Sequence, residues 1–323
     1  MFRLDDLREA CAEVASRARF VKIAEDRLGE LALELGGRTP DPDLFDPAHH
    51  QLGSPEETLA YVITLDAINF GSGWFPHLAK RPGCSGYLSL AQALREHFEV
   101  HGPLQPSVLR GISARECAAL LGQSLTPPID TLMGHFARAW QQLGDWLLSR
   151  FQGDFSAFVA EANSQVERMI SLLAEMPMYR DEALYDGFQV PFYKRGQITC
   201  SDLSLAFERQ GPGHFDDLDR LTLFADNLVP HVLRFEGVLR YDPALLQRIE
   251  AGALIESGSA EEVEIRAVAL HAVEAMVKRL HEEASRSNVF TLTAQQLDTV
   301  LWNRGQSPQI KAQPRHRTRS LFY

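Results

Sequence analysis

From Leu4 to Leu35 apolar residues recur at helical spacing between charged ones, and Ala, Leu and Glu are frequent, which predicts helix. Gly36-Gly37 marks its end, and a polar loop follows through Pro40, Pro42 and Pro47. The next helix is expected from about Ser54 to Asn69. Ser54-Pro55-Glu56-Glu57 supplies a capping hydroxyl, a first-turn proline and acids for the positive helix end. The period then breaks at Gly71-Ser72-Gly73-Trp74-Phe75-Pro76, a glycine-rich aromatic loop. It resumes over 88–98, 114–121 and 129–148, and again after Gly153 to about Met176. Leu184 to Phe192 has no helical period, which suits a short strand or hairpin. Helix is expected over 194–207 and from Leu218 onward. Ser259-Ala260-Glu261-Glu262 reads as a capping box, followed by apolar Val263, Ala267, Leu270, Val273, Val277 and Leu280 at helical repeat. Leu292 to Trp302 closes the series, and there is no internal repeat. The pattern as a whole predicts a mainly all-α fold.

Composition narrows the partners. Of 323 residues, 45% are hydrophobic and 23% charged, an ordinary globular balance with a sizeable core. The formal net charge of -11 argues against a long nucleic acid, whose phosphates need many cations, but leaves room for one mononucleotide in a local basic pocket. Cys11, Cys84, Cys117 and Cys200 are far apart, without a C-x-x-C pair, which fits a reduced compartment rather than a disulfide framework. The acidic start, Met1-Phe2-Arg3-Leu4-Asp5-Asp6, is unlike a signal peptide, and no stretch approaches the ~20 apolar residues of a spanning helix. A soluble, cytoplasmic protein with no membrane partner is expected; its oligomeric state is left open.

The common catalytic signatures are absent: no G-x-x-x-x-G-K-[ST] loop, no complete dinucleotide fingerprint, no H-E-x-x-H and no G-x-S-x-G elbow. Three segments carry candidate chemistry. In Leu218–Arg234, Pro230 is accommodated if a helix starts near Asn227, placing Asp226 at or near its N-cap. There the carboxylate either caps a helix or steadies a growing positive charge and orients water. In Phe192-Tyr193-Lys194-Arg195, two cations beside a tyrosine suit a phosphate or a solvated basic turn, and Asp202 suits either an ion pair or a ligand. In Asp66-Ala67-Ile68-Asn69-Phe70-Gly71-Ser72-Gly73-Trp74, the aromatics suit base stacking or plugging of a core edge, and Asp66 and Asn69 share a helix face.

Taken together these segments resemble the queuosine-salvage protein family. The stretches that carry the resemblance are Asp66–Phe70 with Trp74 and Gly86-Tyr87, Phe192–Ile198, Phe215-Asp216-Asp217, and Leu221–Asp226 with Pro230. Glu262–Ala267, Leu301-Trp302 and His316–Arg319 complete the order. The glycines around Ser72 depart from the family's more compact Asn-Phe-x-x-Trp run. The resemblance implies an all-α, two-lobed fold akin to helix-hairpin-helix DNA glycosylases, one compact unit over 1–323 with lobes 1–185 and 186–323 across a cleft. It implies hydrolysis of queuosine 5′-phosphate to queuine and ribose 5-phosphate, with no cofactor and no metal. On this footing Asp226 is the expected catalyst. Asp202 would meet the base, Phe70 and Trp74 would stack on it, and Lys194 with Arg317 would meet the 5′-phosphate. Asn69, Tyr193 and His231 stand as further substrate-binding candidates. Two readings remain beside it: a DNA-repair glycosylase, and a non-catalytic queuosine-binding or nucleotide-binding helical protein.

Overall fold

The computed structural model describes residues 2–36, 50–286 and 291–323; the proline-bearing loop and the Gly37 helix end lie outside them. The helical spacing of the first segment forms two helices, α1 (Leu4–Arg17) and α2 (Glu25–Gly36), separated by strand β1 (Val21–Ile23). The continuous helix expected there is broken by tertiary hydrogen bonds. The buried Glu264 carboxylate accepts the Phe20 and Val21 N–H groups at 2.6 and 3.1 Å. β1 then pairs antiparallel with β4 (Leu239–Tyr241).

The middle of the chain follows its pattern closely. Ser54 and Glu57 exchange backbone and side-chain bonds at the start of α3 (Pro55–Asp66), as the sequence anticipates. Then come α4 (Gly86–His101), α5 (Pro106–Gly111), α6 (Ala114–Leu120) and α7 (Ile129–Phe151). The helix expected after Gly153 divides into α8 (Phe155–Glu161) and α9 (Val166–Leu173), because Asn163 and Ser164 take left-handed φ of 50° and 55°. The hairpin is present as β2 (Glu182–Tyr185) and β3 (Phe188–Pro191); Asp186 and Gly187, both at positive φ, make its two-residue turn.

α10 (Lys194–Ala206) follows, but the helix expected from Leu218 does not. Apart from a 3-10 turn at Leu218–Arg220, the chain runs non-helical to Leu228. Side chains from other helices take its amides: Gln197 Oε1 accepts from Thr222 N at 2.9 Å and Asp298 Oδ1 from Phe224 N at 3.1 Å. Helix resumes in α11 (Val229–Phe235), α12 (Pro243–Glu250) and α13 (Ala260–Ala284). Of the expected capping box, only the Ser259 half is made. α14 (Ala294–Arg304) is followed by a further short helix, α15 (Pro308–Lys311).

The fold is predominantly helical, with two small antiparallel sheets among the described residues. α7 packs against α5, α6 and α8, while α13 gathers α1, α2, α11 and α14 around it. The N-terminal helices therefore sit with the C-terminal ones, and position 185/186 falls at the end of β2, inside the hairpin, so packing does not follow a division at that point. α10 joins the two groups. It packs on α3 and α9, and Gln295 of α14 donates to Ser201 on it at 2.8 Å. No helix among the described residues is long and apolar enough to cross a membrane.

Candidate active site

Pro230 sits in the first turn of α11, which begins at Val229 rather than near Asn227. Asp226 lies just outside this helix yet still serves its end. Its Oδ1 accepts the Leu228 and Val229 N–H groups at 2.6 and 3.3 Å, an Asx-type turn that aims the carboxylate. Its second oxygen has no hydrogen bond among the described residues, and the side chain is only half-buried. Asn227 beside it is buried and donates to Ser72 Oγ at 2.6 Å, so the glycine-rich loop meets this turn.

Lys194 opens α10, where Tyr193 turns the chain at φ 47° and Asp181 accepts the Lys194 N–H at 3.1 Å. Its buried Nζ donates to the backbone and side-chain oxygens of Asn69 at 3.1 and 3.3 Å. Burial pulls the ammonium below its usual value, and the Asp226 carboxylate is the strongest influence in the other direction. The two groups feel each other without a direct ion pair among the described residues.

Further along α10, Asp202 stands 3.4 Å from His50 Nε2. Burial tends to lower the imidazole's value, but Asp202 carries it upward on balance. Asp66, at the end of α3, is fully enclosed, and neither carboxyl oxygen has a hydrogen-bond partner. Burial, then the charge of Asp202, pushes it well above the usual carboxylate range. Asp298 on α14 is raised in the same way, by burial first and Asp226 second.

The last residues run across this region in extended form. Gly71 N donates to Tyr323 O at 2.8 Å, and a Cβ on Gly73 would lie 2.2 Å from the Thr318 carbonyl oxygen. Only glycine allows that approach, which accounts for the glycines around Ser72. Alternate residues His316, Thr318 and Ser320 are buried, while Arg315, Arg317 and Arg319 are half-buried.

Lys194 meets Asn69 directly and feels Asp226, with Asp202 further along the same helix. Other candidates are drawn elsewhere. Phe70 is 1% exposed, packed edge-on against Phe136 with the Arg195 guanidinium 4.6 Å from its ring centre, so it belongs to the core rather than facing a base. Trp74 is also buried, its ring under Arg319 at 5.6 Å and its indole N–H unpartnered. Tyr193 packs on Phe2 and donates to Glu182, with the hairpin rather than the site. His231 meets the Ile310 carbonyl at 3.2 Å and Arg234 at 3.3 Å. Arg317 donates to Gly252 O at 2.8 Å. Each of these five side chains makes its contacts with protein groups. A cavity of about 260 Å³ beside α10 and α14, lined by Ser204, Leu205, Glu208, Arg209, Gln295 and Gln296 among others, meets none of these groups.

Sequence reasoning assigns no role to Asp66, Asp298, His50 or Arg315. Asp66 belongs to a quoted motif, and Arg315 to the acid-free tail; His50 and Asp298 carry no local signal, because they reach the site only through packing.

Behind the Asp226 turn, His316 is buried with both ring nitrogens unpartnered, near Tyr241. Burial drives His316 down to about 3 and His231 to about 4, from an ordinary 6.5. Both bind a proton only after unfolding, so the stability they support is complete above pH 6.5 and falls as pH drops toward 4. Each steepens the acid limb by up to about 1.4 kcal/mol per pH unit. The buried acids act in the opposite direction, so the contribution is isolated by comparison. His316→Phe should lose less melting temperature than wild type between pH 7 and pH 5; parallel profiles would assign the acid sensitivity elsewhere.

Comparison with known proteins adds an independent result. Residues 48–323 match the family described as queuosine salvage protein. A Sphaerobacter thermophilus protein named queuosine 5′-phosphate N-glycosylase/hydrolase is 37% identical over 316 residues, covering 96% of this chain and 95% of its own. A Mus musculus protein of the same name is 31% identical, covering 84% of this chain and 83% of its own.

Proposed function

The chain belongs to the queuosine salvage protein family, and we propose that it hydrolyses the N-glycosidic bond of queuosine 5′-phosphate, releasing queuine for reuse in tRNA modification. The observation that carries the reading is the Asp226 carboxylate, aimed by two backbone N–H groups, with one oxygen free and Lys194 nearby but unbonded to it.

Breaking this bond builds an oxocarbenium-like ribose. A fixed carboxylate beside the sugar lowers that barrier electrostatically, and its free oxygen takes a proton from the attacking water. Water adds at C1′ of the ribose as the bond to the base nitrogen breaks, giving ribose 5-phosphate and the free base. Queuine is a 7-deazapurine, with carbon where purines accept a proton, so cation stabilisation and hydrogen bonds to the departing base carry more of the work. Asp202 faces the base in this reading. Lys194 meets the 5′-phosphate, joined by Arg315, which has no hydrogen bond among the described residues and feels Asp226. Arg315 takes the place expected of Arg317.

Incubation with queuosine 5′-phosphate should yield free queuine by chromatography. Binding without product would favour the non-catalytic reading. Retention on duplex DNA at low salt would favour a repair glycosylase, which the net charge of -11 opposes. Lys194→Met should raise KM for the nucleotide about tenfold or more, and for the free nucleoside by far less. Equal changes on both substrates would remove Lys194 from the phosphate.

A further inference from the structure

Lys194 and Asp226 belong to segments that share no helix. Lys194 stands in the first turn of α10, and Asp226 lies in the non-helical stretch before α11. On the reading given above, one meets the 5′-phosphate and the other the ribose carbon that gives up the base. A ribose 5-phosphate has a limited reach between those two points. The spacing of ammonium and carboxylate therefore has to be held to about 0.5 Å for both to act on one substrate.

Among the described residues, the hydrogen bonds that join α10 directly to the Asp226 segment all come from one side chain, Gln197. Its Oε1 accepts from Thr222 N at 2.9 Å and from Thr222 Oγ1 at 3.1 Å, four residues before Asp226. Its Nε2 donates to Phe192 O at 3.0 Å, two residues before Lys194. The amide can face only one way. An N–H only donates and a carbonyl only accepts, so a flip would set donor against donor and acceptor against acceptor. Gln197, Thr222 and Phe192 are all fully buried, so a broken bond leaves a polar group unpaired inside the protein.

Other contacts fix each segment to its own neighbours. Asn69 takes the Lys194 ammonium, while Asp298 and Arg266 hold Phe224 and Ala225 ahead of Asp226. A longer route runs from Ala225 through Arg266 and Asp181 to Lys194 N, across two side chains. Both segments therefore stay attached when Gln197 is changed, and what is lost is the direct tie between them.

We propose that Gln197 is a positioning residue for the reaction. Its amide sets the spacing between the Asp226 carboxylate and the Lys194 ammonium, so that binding of the phosphate brings the ribose into register with the carboxylate. It touches no reacting atom.

The test measures kcat and KM for queuosine 5′-phosphate and for queuosine, the free nucleoside, on wild type, Gln197→Met, Lys194→Met and the double variant. Methionine keeps the length of the side chain and loses the amide. In Gln197→Met the phosphate is still held but the ribose is out of register, so kcat for the nucleotide should fall about a hundredfold with KM little changed. The nucleoside has no phosphate to hold it off and should stay within about threefold of wild type. In the Lys194→Met background, Gln197→Met should add little further loss on the nucleotide, because the two act as a unit. Equal losses on both substrates overturn the proposal, since Gln197 would then support Asp226 alone. So do additive losses in the double variant. A lowered melting temperature with unchanged constants per folded enzyme makes the amide a structural bond only, and also overturns it. If Gln197→Met does not fold, Thr222→Val removes one of the two bonds to Oε1 at nearly constant volume. It should slow the nucleotide alone, by about threefold, and no such loss overturns the bridge. Release of no base from either substrate by wild type overturns the glycosylase reading, and this inference with it, an outcome read before any variant is compared.

Discussion

Asp226→Asn is expected to fold normally and to release base about a thousandfold more slowly than wild type, or worse. Asparagine keeps an oxygen acceptor for the Leu228 and Val229 N–H groups, so the turn that starts α11 retains its hydrogen bonds. What disappears is the negative charge. Without it nothing at that position offsets the growing oxocarbenium, and the amide cannot take a proton from water. The loss should fall on kcat, because charge stabilisation matters most in the transition state. Calorimetry should place the variant's melting within a few degrees of wild type. If melting and activity fall together by a large margin, Asp226 is a cap whose chemistry lies elsewhere. Its second oxygen, which makes no hydrogen bond among the described residues, favours the first result.

The second large effect belongs to a residue distant from any reacting atom. Arg266, buried on α13, makes two bonds to Asp181 at 2.9 and 2.6 Å and donates through Nε to Ala225 O at 3.0 Å. Its guanidinium stacks on Phe192 and Tyr323 at 3.9 and 4.3 Å. One side chain therefore holds the residue before Asp226, the acid that caps Lys194 and the closing tail. Arg266→Met keeps much of the volume but strands the buried carboxylates of Asp181 and Glu262. Breaking such a pair costs about 3–5 kcal/mol, which for a chain of 323 residues lowers the melting temperature by about 4–8 °C. Turnover should fall as well, because the turn that aims Asp226 loses its anchor; Arg266 acts by positioning. Adding Asp181→Asn should recover part of the stability, since the stranded charge is then gone. Melting within a degree of wild type would mean the carboxylates find other partners.

The sequence by itself determined the elements whose signals are local. Ser54, Pro55 and Glu57 start α3 because hydroxyl, imino ring and carboxylate act within one turn. Asp186-Gly187 tolerates the positive φ of a two-residue hairpin. The ordered motifs from Asp66 to Arg319 were enough to indicate the family. The tertiary structure decided the rest. Leu4 to Leu35 divides because Glu264, more than two hundred residues away, takes two amides from the chain. Leu221 to Leu228 stays non-helical because Gln197 and Asp298 do the same. Helical spacing records which face can be buried, not which distant side chain competes for a backbone N–H. Phe70, Tyr193, His231 and Arg317 have the right chemistry for ligands, yet each met a protein partner first. Asp66 and Asp298 are raised by burial and by the charges of Asp202 and Asp226 respectively, influences that exist only once α3, α10 and α14 are packed together.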